Sequence, residues 1–228
     1  MTRNRLQKNR IPFRVLAMMT ALSGTLLCFE MPLPAMETAL VGAFSSEGLA
    51  GWEDKFFRGV TEYSLVTESG RTVLKAHSVK SASAKIYKID ANAQETPMLR
   101  WSWKVERTLA REDVTRKPGD DFAARVYVVF PRLFLWQTRA INYVWAAKMP
   151  KESIAPSPYT DHNQLLAVET GDGQAGQWKN EERNIYNDYR RIFHEEPPAV
   201  GAIAVMTDTD DTQDEVSAWY GDITLGRE

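Results

Sequence analysis

Asp121-Phe122-Ala123-Ala124-Arg125-Val126-Tyr127-Val128-Val129-Phe130 alternates between two faces. Phe122, Ala124, Val126, Val128 and Phe130 fall on one side, and Asp121, Ala123, Arg125, Tyr127 and Val129 on the other. A period of two sustained over ten residues predicts a strand with its first set in a core. Working outward, Leu99, Trp101, Trp103 and Val105 form a second apolar face, with Arg100, Ser102 and Lys104 opposite them. Further β-rich runs stand at 61–67, 72–77, 84–89, 140–146, 164–169, 202–207 and 216–225. Ser69-Gly70, Lys117-Pro118-Gly119, Pro156-Ser157-Pro158, Gly171-Asp172-Gly173 and Glu196-Pro197-Pro198 separate them as turn material. Strands at this spacing predict an all-β chain, a jelly-roll-like antiparallel β-sandwich. One segment breaks the pattern. Residues 180–193 carry Ile185, Tyr189, Ile192 and Phe193 at helical spacing, with Glu181 and Glu182 early and Arg190 and Arg191 late. Those charges complement a helix dipole, so a single helix is expected there, packed on the sandwich.

The start of the chain has a different character. Arg3, Arg5, Lys8, Arg10 and Arg14 precede an apolar stretch over 15–29, the form of a secretory signal, with cleavage expected after Ala35. The apolar stretch is shorter than the roughly 20 residues a spanning helix needs. Residues 1–35 are therefore read as a signal peptide and 36–228 as one sandwich domain, periplasmic or secreted. Cys28 is the sole cysteine and would leave with the signal, which excludes disulfides, thiol catalysis and Cys-ligated zinc in the remainder. Removing five basic residues and one acid from totals of 28 and 30 leaves 23 and 29, a net charge of −6. That balance argues against a nucleic-acid partner, whose footprint would be basic. No later stretch predicts a transmembrane segment, and the sequence leaves the oligomeric state open.

Two groups of residues are candidates for a site. Arg125 and Tyr127 lie on the polar face of a strand that reads as central, and a guanidinium fork beside a phenol suits sugars or acidic ligands. With Arg100, Lys104, Asp121, Asn142, Tyr143, Trp145 and Tyr220 they make the candidate ligand set. Asp121 is the expected ion-pair partner of Arg125. The second group is the turn Met206-Thr207-Asp208-Thr209-Asp210-Asp211, where crowded carboxylates follow a buried run. Asp208, Asp210 and Asp211, joined by Asp222, are the expected ligands of a structural calcium ion; a turn satisfied by its own hydrogen bonds is the competing reading. His77, His162 and His194 are too scattered for a zinc motif, and no serine-hydrolase elbow or phosphate loop occurs. The stretch around Phe134 and Trp136 is either an exposed loop or a strand extension.

Gly51-Trp52, Leu74-Lys75-Ala76-His77-Ser78, Leu99-Arg100-Trp101-Ser102-Trp103, the segment from Gly119 to Phe130, Asn142-Tyr143-Val144-Trp145, Arg183-Asn184-Ile185-Tyr186-Asn187-Asp188-Tyr189, Met206-Thr207-Asp208-Thr209-Asp210 and Tyr220-Gly221-Asp222-Ile223 together resemble a bacterial exported family of unknown function, numbered 3047 among such domains. The resemblance implies an exported β-sandwich similar in outline to jelly-roll carbohydrate-binding domains, and brings no catalytic residues. Asp211 stands where the family pattern has Asn, which adds negative charge at the turn.

Three functions remain open at this point: a non-catalytic binding protein for a glycan or other polar ligand, a jelly-roll glycan hydrolase or lyase, and an assembly or structural factor of the envelope.

Overall fold

The computed structural model describes residues 38–227. The signal segment, Cys28 and the cleavage point after Ala35 lie outside the described residues. Within them the chain runs β1 (Thr38–Gly42), β2 (Trp52–Arg58), β3 (Glu62–Glu68), β4 (Arg71–Val79), β5 (Ala82–Ala91), β6 (Met98–Val105), β7 (Ala124–Phe130), β8 (Arg139–Ala146), β9 (Ile154–Ser157), β10 (Thr160–Thr170), β11 (Lys179–Asn184), α1 (Ile185–Phe193), β12 (Val200–Asp208), β13 (Glu215–Tyr220) and β14 (Ile223–Gly226).

The strands form two seven-stranded sheets, an all-β sandwich of the expected jelly-roll-like kind. One sheet has the order β1-β14-β6-β13-β4-β3, with β11 on the other edge of β6; the second runs β2-β5-β12-β7-β8-β10-β9. Pairings are antiparallel except β8 with β10, which run parallel because β9 lies between them in the chain and pairs with β10 from its far edge. The inner faces meet in one core. Leu99, Trp101, Trp103 and Val105 of β6 face Val126, Val128 and Phe130 of β7, Tyr143 and Trp145 of β8, and Ile203 and Val205 of β12. Trp101 packs edge-on to Trp103 and also against Tyr143, while Trp103 meets Trp145. Burying rings of this size supplies much of the apolar area that a thiol-free sandwich relies on.

The alternation of β7 holds from Ala124 onward and fails before it. Residues 121–123 are not strand; Ala123 turns into the main core, and Phe122 enters a smaller cluster with Val144, Met149 and Leu165. The helix is shorter than expected. Residues 179–184 are β11, paired along β6, and α1 begins only at Ile185, where the 3.6-residue apolar period starts. Asn184 caps it by accepting from the Asn187 amide, and His194 closes it in the left-handed conformation at φ 56°. The Phe134–Trp136 stretch is an exposed connection between β7 and β8, with a short 3-10 turn over Leu135–Gln137, not a strand extension.

Among the described residues, no helix is long and apolar enough to cross a membrane.

Candidate functional site: a groove with an acidic end

The outer face of the second sheet carries a groove of about 650 Å³. Its floor comes from three adjacent strands: Ala82, Ala84 and Ile86 of β5, Ala204 and Met206 of β12, and Tyr127 and Val129 of β7. Alanines at every second position leave the floor low, whereas the rims carry bulk. Phe57, at the end of β2, and Tyr159, in the turn between β9 and β10, are 61% and 54% exposed on the rims. Exposed aromatic rings over a half-apolar floor offer the flat surfaces on which sugar rings stack, and Ser157, Thr160 and Asn163 add polar contacts. Asn142 of β8 sits directly across from Tyr127 on the same outer face, fully buried, with both its amide atoms unpartnered.

One end of the groove is built around Arg125. Its Nε donates to Asp208 Oδ1 at 2.8 Å and its Nη2 to Asp208 Oδ2 at 2.5 Å, a two-pronged clamp. Nη1 reaches Asp120 Oδ1 at 3.3 Å, Nη2 also donates to the Asp120 carbonyl, and the guanidinium lies 4.4 Å from the Phe122 ring. The expected partner, Asp121, does not contact it. The 3-10 turn at Lys117–Gly119 swings Asp120 back over Arg125, and Asp121, lying ahead of the strand, points instead to the Thr212 amide. Asp208 comes from β12, where Met206 pairs with Arg125 and Asp208 stands two residues further along. Burial pushes the Asp208 carboxyl up, and the guanidinium opposes that; two N–H donors on two oxygens is the geometry of a carboxylate, so the pair is ionised.

The remaining acids cluster next to it. Oxygens of Asp121, Asp208 and Asp210 lie within 4.8 Å of one another. Asp210 is pushed up to about 6 by burial and by the charges of Asp121 and Asp211. Asp211 turns away and accepts from the Tyr159 hydroxyl at 2.7 Å, joining the turn to the groove rim. Asp222 is elsewhere: it accepts from the Ser45 amide and hydroxyl and lines a separate cleft on the first sheet. The expected set Asp208, Asp210, Asp211 and Asp222 is thus not brought together, and Asp121 takes the third position.

The rest of the candidate ligand set divides similarly. Arg100 and Lys104 lie on β6, in the other sheet, so their outer face is turned away from the groove; Arg100 pairs with Glu182 and Lys104 with Glu68. Tyr143 and Trp145 point into the core, where the Tyr143 hydroxyl donates to Asp188. Tyr220 is buried between the sheets; its hydroxyl meets Thr207 Oγ1, the Met206 carbonyl and the Arg125 amide, and so pins the first sheet beneath the arginine. Arg125 and Tyr127 alone among the candidate ligand residues line the groove. Phe57, Tyr159 and the alanine floor were not singled out from sequence. Ala82 and Ala84, and Ala202 and Ala204, at period two were the available signal.

Two glutamates away from the groove, Glu112 buried and Glu181 half-buried, set a pH dependence. Glu112 accepts from the Ala147 and Lys148 amides, and Glu181 from Trp103 Nε1; burial pushes each up to about 7 from an ordinary 4.5. Between those values the folded state holds protons that the unfolded chain releases, so stability should rise as pH falls from 8 to 5.5. Each group contributes at most about 1.4 kcal/mol per pH unit. Urea denaturation at pH 8, 7 and 6 checks this, and a midpoint that is flat or falls toward pH 6 would reject it.

The chain is similar to several solved structures. They include a family 11 carbohydrate-binding module of a Clostridium thermocellum cellulosomal cellulase, Lic26A-Cel5E, at 11% identity and TM-score 0.47, covering 85% of this chain and 96% of that one. The xyloglucanase domain of NopAA, a type three effector from Sinorhizobium fredii, is similar at 9% identity and TM-score 0.44, covering 77% and 93%. The K1 cleaved adhesin domain of Lys-gingipain from Porphyromonas gingivalis follows at 10% identity and TM-score 0.41, covering 85% and 99%. Likeness at this level transfers neither ligand nor activity. No curated protein matches the chain. Residues 50–224 match the family described as protein of unknown function (DUF3047), and with most of the sandwich inside that match, the chain belongs to this family.

Proposed function

We propose that the protein is an exported, non-catalytic binding protein whose groove on the outer face of the second sheet takes a glycan or another polar ligand. The observation that carries this reading is the groove itself, an alanine floor between the exposed rings of Phe57 and Tyr159 with Tyr127 and Asn163 supplying polar contacts. Binding is favoured over hydrolysis because Asp120 and Asp208 are both engaged by Arg125, which removes them as a free acid and base. The lining carries four carboxylates, Asp120, Asp208, Asp210 and Asp211, against Arg58 and Arg125. Neutral sugars fit that balance better than uronic acids. Export is supported by the basic start and apolar stretch of residues 1–29. The acidic end supports the calcium expectation in altered form, with Asp121 in place of Asp211 and Asp222. A second reading, an envelope assembly factor, is favoured by the exposed Leu133, Leu135 and Trp136 at 90%, 88% and 71%.

The test is an array of neutral and acidic oligosaccharides probed with the purified protein, followed by calorimetry on the best binder. Ala204→Phe should fill the floor and weaken binding at least about tenfold, and Tyr159→Ala should weaken it by a similar factor, about 1.4 kcal/mol. An array without hits, or Ala204→Phe binding as the parent does, would remove the groove from consideration.

A further inference from the structure

We propose that Asp121, Asp208 and Asp210 hold a hard divalent cation, calcium above others, at the acidic end of the groove. The acids alone do not make the case; two orphaned buried oxygens do. Asp121 is fully buried, and while its Oδ2 accepts from the Thr212 amide, its Oδ1 has no partner. Thr212 is 2% exposed, and its hydroxyl, in the residue whose amide holds Asp121, is also unpartnered. Buried polar oxygens are rarely left unsatisfied, and two on residues joined by one hydrogen bond mark a place where something binds.

Charge points the same way. Asp120, Asp121, Asp208, Asp210 and Asp211 stand in this region against two guanidiniums, Arg125 on Asp120 and Asp208 and Arg58 at 3.9 Å from Asp210, a balance of −3. Arg125 is committed to Asp120 and Asp208, so among the described residues Asp121 has no ion-pair partner. A fully buried, unpaired carboxylate costs several kcal/mol. A 2+ ion bound within reach of three carboxylate oxygens would offset most of that imbalance. The donors are all oxygen, which selects calcium or magnesium over zinc or copper, and the irregular spacing of a set drawn from two loops and the end of β12 suits calcium's flexible coordination. Asp208 contributes an oxygen it shares with Arg125, so Asp121 and Asp210 carry the binding. Because Asp208 and Asp210 also line the groove, the ion would border the ligand space.

The inference does not rest on the glycan reading, and its test uses calcium chloride alone. The purified full-length protein is stripped with EGTA, titrated with calcium by calorimetry, and melted in EGTA and in millimolar calcium. A single saturable site is expected, with the melting temperature raised by about 5–10 °C at a hundredfold excess over the dissociation constant. Asp121→Asn and Asp210→Asn should each weaken calcium at least about tenfold, while Asp161→Asn, exposed at the start of β10, should bind normally. In EGTA, Asp121→Asn should melt at or above the parent, since it removes an unpaired buried charge; a merely structural aspartate would show the reverse. No calcium heat with a melting temperature indifferent to calcium would overturn the proposal, as would binding that survives both Asp121→Asn and Asp210→Asn. If Asp121→Asn fails to fold, Asp210→Asn decides by the same criterion.

Discussion

Arg125→Met is expected to lower the unfolding free energy by about 3–5 kcal/mol. The residue is 2% exposed, and its guanidinium satisfies both oxygens of Asp208, one oxygen of Asp120 and the Asp120 carbonyl. Methionine keeps the apolar contact with Phe122 but strands two buried carboxylates, which is the costly way to break such a pair. The stranded Asp208 relaxes by taking up a proton, so the variant's loss should be smaller at pH 5.5 than at pH 8. The sign follows from the direction: losing the guanidinium, which opposes the effect of burial, raises the folded-state value of Asp208 further, and stability tied to a raised carboxyl falls as pH rises. The double variant Arg125→Met, Asp208→Leu should recover part of the loss, with a coupling of about 1.5 kcal/mol or more. Urea denaturation of the four proteins of this cycle at two pH values measures all three effects. A loss below about 1 kcal/mol for the single variant would mean the arginine is not the keystone of this end of the groove.

The same residues show how far the sequence could be read. Strands with one buried face were legible, since β6 and β7 each keep one continuous apolar face against a face with polar residues. Three edge strands were not, although β3, also at an edge, was. β2 is exposed at six of its seven positions, β9 carries Pro156, and β11 reads Lys-Asn-Glu-Glu-Arg-Asn; each is held by backbone pairing that leaves no hydrophobic period. β11 was absorbed into the helix for that reason, its acids mimicking a helix start. The polar face of β7 was also legible, whereas the grouping of Arg100 and Lys104, from the polar face of β6, with it was wrong. The two strands are consecutive in this part of the chain yet belong to opposite sheets, and sheet order is decided by long-range pairing that alternation does not encode. The exchange of Asp120 for Asp121 has a more local cause: a period of two was carried across three residues that the 3-10 turn had already taken out of the strand.

Trp103→Ala and Trp136→Ala should differ in effect by several kcal/mol, although both tryptophans sit among apolar residues in the sequence. Trp103 is fully buried, with its ring centroid 5.5 Å from Trp101 and 5.9 Å from Trp145, at the point where the two sheets meet. Its Nε1 donates to Glu181 at 3.1 Å and thereby ties β11 to β6. Truncation removes the apolar area, opens a cavity that rigid neighbouring rings cannot collapse into, and leaves Glu181 without its donor. The expected loss is about 3–5 kcal/mol. Trp136 is 71% exposed and stacks only on Phe134, itself 46% exposed, at 4.7 Å and 13° between planes. Removing it deletes little buried area, and the change should stay within about 0.5 kcal/mol. Urea midpoints of the two variants beside the parent decide the matter. A Trp136→Ala loss comparable to that of Trp103→Ala would show that the Leu133 to Trp136 connection is covered in the native protein by some other part of the fold or by a partner. The inter-sheet aromatic cluster would then be sharing its role with a surface that this structure leaves open to solvent.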